Sequence, residues 1–312
     1  MPNWNEVLQQ IQQIQAQGQN ASNIVRSHFL QKLHQKTGRN IIAYYSGFLS
    51  KQPNIGGLEI NDEDKNGFMM AVHKLDRTKG LDLFLHTPGG SISSTQSIVD
   101  YLHKMFGKNI RAIVPQIAMS AGTMIACSCK EILMGKHSNL GPIDPQVNNI
   151  PAYGVLREFK TACKEIKADR SKIPIWQSII GHYRPTFLSR CENAIAWSND
   201  FVREQLTTVM FEGMEDAKTR AGKVVRGLTH YRKNKTHENH LHYDECLKIG
   251  LTVKAIEDAK LADGQKDADF QDLILTVHHC YMQLLMNTNC IKAIENQTGV
   301  GLFKHIPASV VK

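Results

Sequence analysis

Two short stretches of this chain bring serine and glycine together in ways that suit acyl-group chemistry. Thr87-Pro88-Gly89-Gly90-Ser91 carries paired glycines. Residues without a Cβ let the backbone approach a ligand closely and present bare N–H groups to it. An oxyanion hole needs just that, fixed donors aimed at an oxygen that becomes negative in the transition state. The second stretch, Ala118-Met119-Ser120-Ala121-Gly122, sets a serine among small residues. Small neighbours permit a sharp turn and let a substrate carbonyl reach the hydroxyl, as in a nucleophile elbow, although Ala118 replaces the usual first glycine. Each stretch also has a plainer reading: Gly and Pro punctuate ordinary turns, and a serine opening a helix is commonly its N-cap. The pair is far more informative than either piece.

The surrounding periodicity supplies elements able to position both turns. Leu81 to His86 reads as a short apolar strand running straight into the diglycine turn, and Ile110 to Val114 as the strand before the Ser120 turn. Ile41-Ile42-Ala43-Tyr44-Tyr45 and Glu131 to Met134 are further strands. Helical spacing over Phe68, Val72 and Leu75, over Ile98, Leu102 and Met105, and from Ser120 to Cys129 separates them. Strands alternating with helices of this length predict βαβ units around a mostly parallel sheet. Two helices broken at Gly18 precede this core, the second ending at Gly38. A mainly helical, polar region runs from about 151 to 199. Tyr243 to Ile249 predicts a short helix, Leu251-Thr252-Val253 a strand, and Phe270 to Asn287 a long helix suited to oligomerisation. The implied division is an N-terminal helical segment (1–38), a catalytic core (39–255) and a C-terminal helical extension (256–312).

Composition narrows the function. With 312 residues there is enough chain for one large α/β domain. The net charge of +8 raises a nucleic-acid role, but the basic residues are interleaved with acids. The densest run, Arg220 to Lys235, has no alternating aromatics of the kind that stack bases. No nucleic-acid partner is expected. The Gln-rich first residues have no apolar core of a secretory signal, and no stretch is apolar for the length of a membrane span. A cytoplasmic protein follows as the expectation. The seven cysteines are scattered, with no C-x-x-C pair, so reduced and mostly buried thiols are expected.

The run LFLHTPGGSISSTQSIVDYLHKMFGKNIRAIVPQIAMSAGTMIACSCKEILMGKHSNLGPIDPQ resembles the Clp protease and signal peptide peptidase superfamily. More closely, TGRNIIAYYSGFL, HTPGGS, AMSAGTMIA, GKHSNLGPIDPQ and the later YDECLKIGLTV resemble the serine dehydrogenase proteinase family. The resemblance implies an α/β fold with a Clp/crotonase-like ββα spiral core. It implies a serine hydrolase acting on peptides or proteins, and by analogy a homo-oligomer. Ser120 takes the nucleophile position. The resemblance further implies that the amides of Gly90 and Ala121 form the oxyanion hole, with Gly89 and Ser91 at the substrate.

The base is the open question. Clp proteases place a histidine about twenty-five residues beyond the serine, where this chain has Leu140-Gly141-Pro142-Ile143-Asp144-Pro145 and no histidine. Signal peptide peptidases resemble a Ser–Lys dyad instead, with the lysine some forty to fifty residues on. Lys160, Lys164, Lys167 and Lys172 fall in that range. A lysine acts as base only if desolvation lowers its pKa. Lys172, before Ile173-Pro174-Ile175-Trp176, has the best local setting, whereas the other three share helical spacing and suit a solvated face. Asp144 is a candidate orienting carboxylate and His137 an unusual base. Their plain roles are a turn residue and a surface histidine.

Other signals are discounted. Asp62, Asp64 and Asn66 begin like a calcium loop, but its twelfth position is His73 rather than glutamate. His230, His237, His240 and His242 have no accompanying H-E-x-x-H pattern, so no metal is expected. His278-His279 can present at most one ring to the apolar side of its helix. No G-x-G-x-x-G fingerprint supports a nicotinamide, and no cofactor is expected. Two alternatives to the hydrolase stand: a crotonase-like acyl-thioester enzyme, which shares the fold without needing the serine, and a non-catalytic assembly protein.

Overall fold

The computed structural model describes residues 4–15, 21–52, 54–229, 239–259 and 265–306. Helices α1 (Trp4–Gln15) and α2 (Ala21–Thr37) come first. Helix α2 ends on Gly38, whose φ of 67° lets its amide turn back to the His34 carbonyl at 2.8 Å. Then follow β1 (Asn40–Ser46), α3 (Asp64–Val72), β2 (Leu81–His86), α4 (Ile92–Phe106) and β3 (Ile110–Val114). Next are β4 (Ile117–Ala118), α5 (Ala121–Cys127), β5 (Glu131–Met134) and β6 (Asn139–Leu140). A hairpin of β7 (Gln146–Val147) and β8 (Ile150–Pro151) leads into α6 (Ala152–Ala168), α7 (Ile173–Ile180), α8 (Phe187–Gln205) and α9 (Ala217–Thr229). The described chain closes with β9 (Leu241–His242), α10 (Tyr243–Ile249), β10 (Val253–Ala255), α11 (Ala268–Asn287), β11 (Cys290–Asn296) and β12 (Gly301–His305).

The main sheet runs β10-β5-β3-β2-β1-β11-β12. The first five strands are parallel, and β11 and β12 add antiparallel at one edge. Strand β1 shows why both faces must be covered, since all seven of its residues are buried. Its side chains alternate between faces. Ile42 and Tyr44 join a core with Phe68, Ile98, Leu102 and Met124, while Ile41, Ala43 and Tyr45 join another with Leu33, Ile274 and Tyr281. The α/β class and mostly parallel sheet match the expectation. A second, small sheet β4-β6-β9 lies at the carboxyl end of β2 and β3, tied to the first where Thr87 bridges Ala118.

The end of the chain departs from a purely helical extension. Strands β11 and β12 join the main sheet, β11 beside β1. Their residues, CIKAIEN and GLFKH, mix charged with apolar types and so hide the strand pattern. The charges are satisfied inside. Arg26 on α2 donates Nε to Glu295 Oε2 at 2.5 Å and Nη2 to Oε1 at 3.1 Å, and the Tyr281 hydroxyl donates to Oε2 at 2.7 Å. Helix α11, suited by sequence to oligomerisation, packs on α1, α2 and the sheet of its own chain. His278 is buried there and His279 half-buried. His230 and His237 lie outside the described residues. His242 opens α10, its amide donating to Glu245 Oε2 at 3.1 Å.

Candidate active site

Strand β3 ends at Val114 and the chain passes through β4 into α5, so Ser120 sits at a strand-to-helix junction. Its backbone is bent to φ 52°, ψ −116°, a region that costs a residue bearing a Cβ about 1–3 kcal/mol. The surroundings hold it there. Met119 N–H donates to the Thr87 carbonyl at 3.0 Å, Gly122 N–H to Met119 at 2.7 Å and Met124 N–H to Ser120 at 3.1 Å. Gly122 packs on Thr87, where a Cβ would stand 2.5 Å from Cγ2. The Thr123 hydroxyl lies 2.9 Å from the carbonyls of both Ala118 and Gly141. The Ser120 side chain makes no capping bond to α5. The plain N-cap reading is therefore set aside by the geometry.

The diglycine turn sits directly against this elbow. A Cβ on Gly89, φ 97°, would meet the Ser120 Cβ at 2.7 Å and the Met119 carbonyl at 2.8 Å. A Cβ on Gly90, φ 154°, would meet the Ile60 amide and carbonyl at 2.4 Å each. Each glycine thus has its own steric reason. The amide of Gly89 donates to Thr87 Oγ1 at 3.1 Å. Among the described residues, no hydrogen bond uses the amides of Gly90 or Ala121. As the first residue of α5, Ala121 has no carbonyl within its helix to bond.

Ser120 opens onto a cavity of about 830 Å³. One wall is the Pro88–Ser93 turn with Glu59, another is Ile143 with Pro145–Asn149, and a third comes from α8 through Arg190, Asn193, Ala194 and Trp197. Ser91, expected at the substrate, lines the cavity, but its hydroxyl caps α4 by accepting from Ser94 N–H at 3.3 Å. Several of these residues were not singled out in the sequence. Asn148 and Asn149, φ 55° and 62°, form the two-residue turn between Val147 and Ile150. Both central residues of such a turn need positive φ, which asparagine tolerates. An Asn-Asn pair between short apolar runs was the available signal. Arg190 and Trp197 had no local signal, because the packing of α8 on α5, α6, α9 and β7 brings them over the cleft.

The expected base is placed elsewhere. Lys172 does not line the cavity. Its Nζ lies 3.2 Å from Glu165 Oε2, and the side chain is 42 % exposed. The apolar run after it fails to desolvate it, because Ile175 turns 62 % of its surface outward. Lys160, Lys164 and Lys167 are exposed on α6, as expected of a solvated face. His137 Nε2 is bonded to the Pro115 carbonyl at 2.9 Å and Nδ1 faces Glu257 at 3.8 Å. Asp144 is buried, and its neighbours Ile143 and Pro145 face the cavity while it does not. Among the described residues, the ionisable groups of the cavity wall are Glu59 and Arg190. The calcium-like acids are also explained. Asp62 Oδ1 accepts from Ser94 Oγ at 2.6 Å, and Asp64 is ion-paired with Lys292.

The family model described as ClpP-like SDH-type serine proteinase matches residues 11–260. Two proteins of Methanocaldococcus jannaschii, the uncharacterized proteins MJ0137 and MJ1495, are 32 % identical over 140 residues and 28 % identical over 194 residues. The first match covers 43 % of this chain and 47 % of the relative, the second 62 % and 59 %. The chain thus spans about half the length of these relatives. Among solved structures, a mutant of the 1510-N membrane-bound stomatin-specific protease aligns over 67 % of this chain and 86 % of its own. That alignment has 16 % identity and a TM-score of 0.35.

Proposed function

The chain belongs to the ClpP-like SDH-type serine proteinase family, and from that premise we propose that it cleaves peptide bonds with Ser120 as nucleophile. The amides of Gly90 and Ala121 hold the tetrahedral oxyanion. The carrying observation is the state of Ser120 itself. Its hydroxyl caps nothing, its backbone is bent, it opens onto a cavity, and two unengaged amides stand on the turns that meet there. A crotonase-type acyl-thioester enzyme has no use for a strained serine at this point.

The proton of Ser120 goes to a lysine of the α6–α7 arm in this reading. Lys160, Lys164, Lys167 and Lys172 all ride on that arm, and α6 packs on α8, which forms one wall of the cavity. Movement of the arm toward Ser120 would desolvate a lysine and so suit it to the task. Lys172 remains the first candidate, with Asp144 as an orienting carboxylate. The substrate is a peptide or protein segment, and the working form a cytoplasmic homo-oligomer. No described helix is long and apolar enough to cross a membrane.

A serine-directed fluorophosphonate tests the central statement. The folded wild-type chain should be labelled at Ser120, as located by peptide mass mapping, and Ser120→Ala should lose both label and peptidase activity. An Ser120→Ala protein that still hydrolyses peptides ends this reading.

A further inference from the structure

A chain of buried polar groups links the last part of the sequence to the diglycine turn. Lys292 on β11 is 1 % exposed and Asp64, opening α3, is 0 % exposed. The Lys292 ammonium lies 2.9 Å from each Asp64 carboxylate oxygen and 2.7 Å from the Glu59 carbonyl. Asp64 Oδ2 also accepts from the Asn61 amide at 3.1 Å and the Tyr44 hydroxyl at 2.8 Å. The ion pair therefore grips the chain on both sides of Ile60. On the other side of the turn, Thr87 Oγ1 accepts the Gly89 amide at 3.1 Å.

Ile60 is the residue that matters. Its amide donates to the Gly89 carbonyl at 2.7 Å, and its carbonyl accepts from Ser91 N–H at 3.0 Å. The Gly89 carbonyl and the Gly90 amide belong to one planar trans peptide unit, so they point in opposite directions. Fixing that carbonyl on Ile60 fixes the direction of the Gly90 N–H. The Gly89 amide, at the other end of the residue, is held by Thr87.

We propose that Lys292 and Asp64, with Tyr44 and Thr87, are positioning residues that set the Gly89–Gly90 peptide plane and so aim the Gly90 amide at the oxyanion. This rests on the reading of Ser120 as the nucleophile. Burying an ion pair is a poor means of gaining stability, because desolvation offsets the attraction and an apolar pair often serves as well. Geometry explains its presence here. It anchors the two residues flanking Ile60 with charge-assisted bonds of defined direction.

The test compares two kinds of variant with the wild type, using a fluorophosphonate and separating kinact from KI at Ser120. D64L/K292M removes both charges together, so neither is stranded in the core. T87V removes the acceptor for the Gly89 amide, and T87S keeps it. Thermal melts establish that each protein is folded. Expected is a fall in kinact of at least tenfold for D64L/K292M and for T87V with KI unchanged, and recovery of most of the T87V loss in T87S. If the double variant does not fold, the T87V and T87S comparison decides. Folded variants with wild-type kinact, or with the loss confined to KI, overturn the proposal while leaving Ser120 as nucleophile. A folded wild type that takes no label removes the underlying reading and this proposal with it.

Discussion

Gly89 touches Ser120 so closely that a methyl group on the glycine would stand 2.7 Å from the serine Cβ. The two turns recognised separately in the sequence are one contact surface. Gly90 completes it on the other side by packing on the Ile60 backbone.

Gly90→Ala should therefore damage catalysis more than binding. Its Cβ meets backbone atoms of Ile60 at 2.4 Å, and these cannot swing aside as a side chain would. The turn must shift and carry its amide away. Loss of one oxyanion donor lowers kcat by about 10²–10³-fold. Steady-state kinetics on a peptide substrate should show that fall in kcat with a smaller change in KM.

Position 120 makes a prediction about stability. Because φ is 52° there, any side chain is strained and glycine is not. Ser120→Gly should be more stable than Ser120→Ala by about 1–3 kcal/mol. Urea denaturation of the two inactive proteins measures the difference, and equal midpoints would count against a strained elbow.

Removing the arm's lysines tests the proton acceptor. K160Q/K164Q/K167Q/K172Q should lower kcat by about 10²–10⁴-fold, the usual contribution of a general base, and K172Q alone should reproduce most of that loss. The quadruple variant should also lose the rise of kcat with pH that deprotonation of a lysine produces. Wild-type kcat and an unchanged pH profile in the quadruple variant would exclude a lysine base.

Acid should destabilise the fold through His86. Burial pushes its imidazole down to about 4, outweighing its bonds to Gln116 and Ser46 that favour the charged form. Unfolded histidine titrates near 6.5. Between these values the unfolded chain binds the extra proton, so stability is full above about pH 6.5 and falls as pH drops toward 4. The loss is on the order of 3 kcal/mol from this residue. His278, buried against it and also pushed well down by burial, acts in the same direction. Thermal melts from pH 7 to pH 4 should show a steeper decline for wild type than for H86Q, by about one proton's worth, roughly 1.4 kcal/mol per pH unit.

Much of the core was legible because its signals are local. Strand Leu81–His86 is a short apolar run ending in a diglycine turn, and its six residues are all buried. Helix α4 shows its stripe in the sequence as Ile98, Leu102 and Met105, of which Ile98 and Leu102 are buried with Phe106 beside them, and Gly38 marks the end of α2. Strand β11 was hidden for a different reason. Lys292 and Glu295 look solvent-facing in a sequence, and only partners more than two hundred residues away, Asp64 and Arg26, allow them to be buried.

From its residues alone, the chain determined an α/β core and the pairing of a diglycine turn with a small-residue serine turn, because periodicity and missing side chains act over a few positions. Tertiary structure alone decided that Gly89 rests on Ser120, that Lys172 turns to Glu165 instead of the cavity, and that Lys292 reaches Asp64. Those outcomes depend on which distant groups share a desolvated space, and no local pattern encodes that.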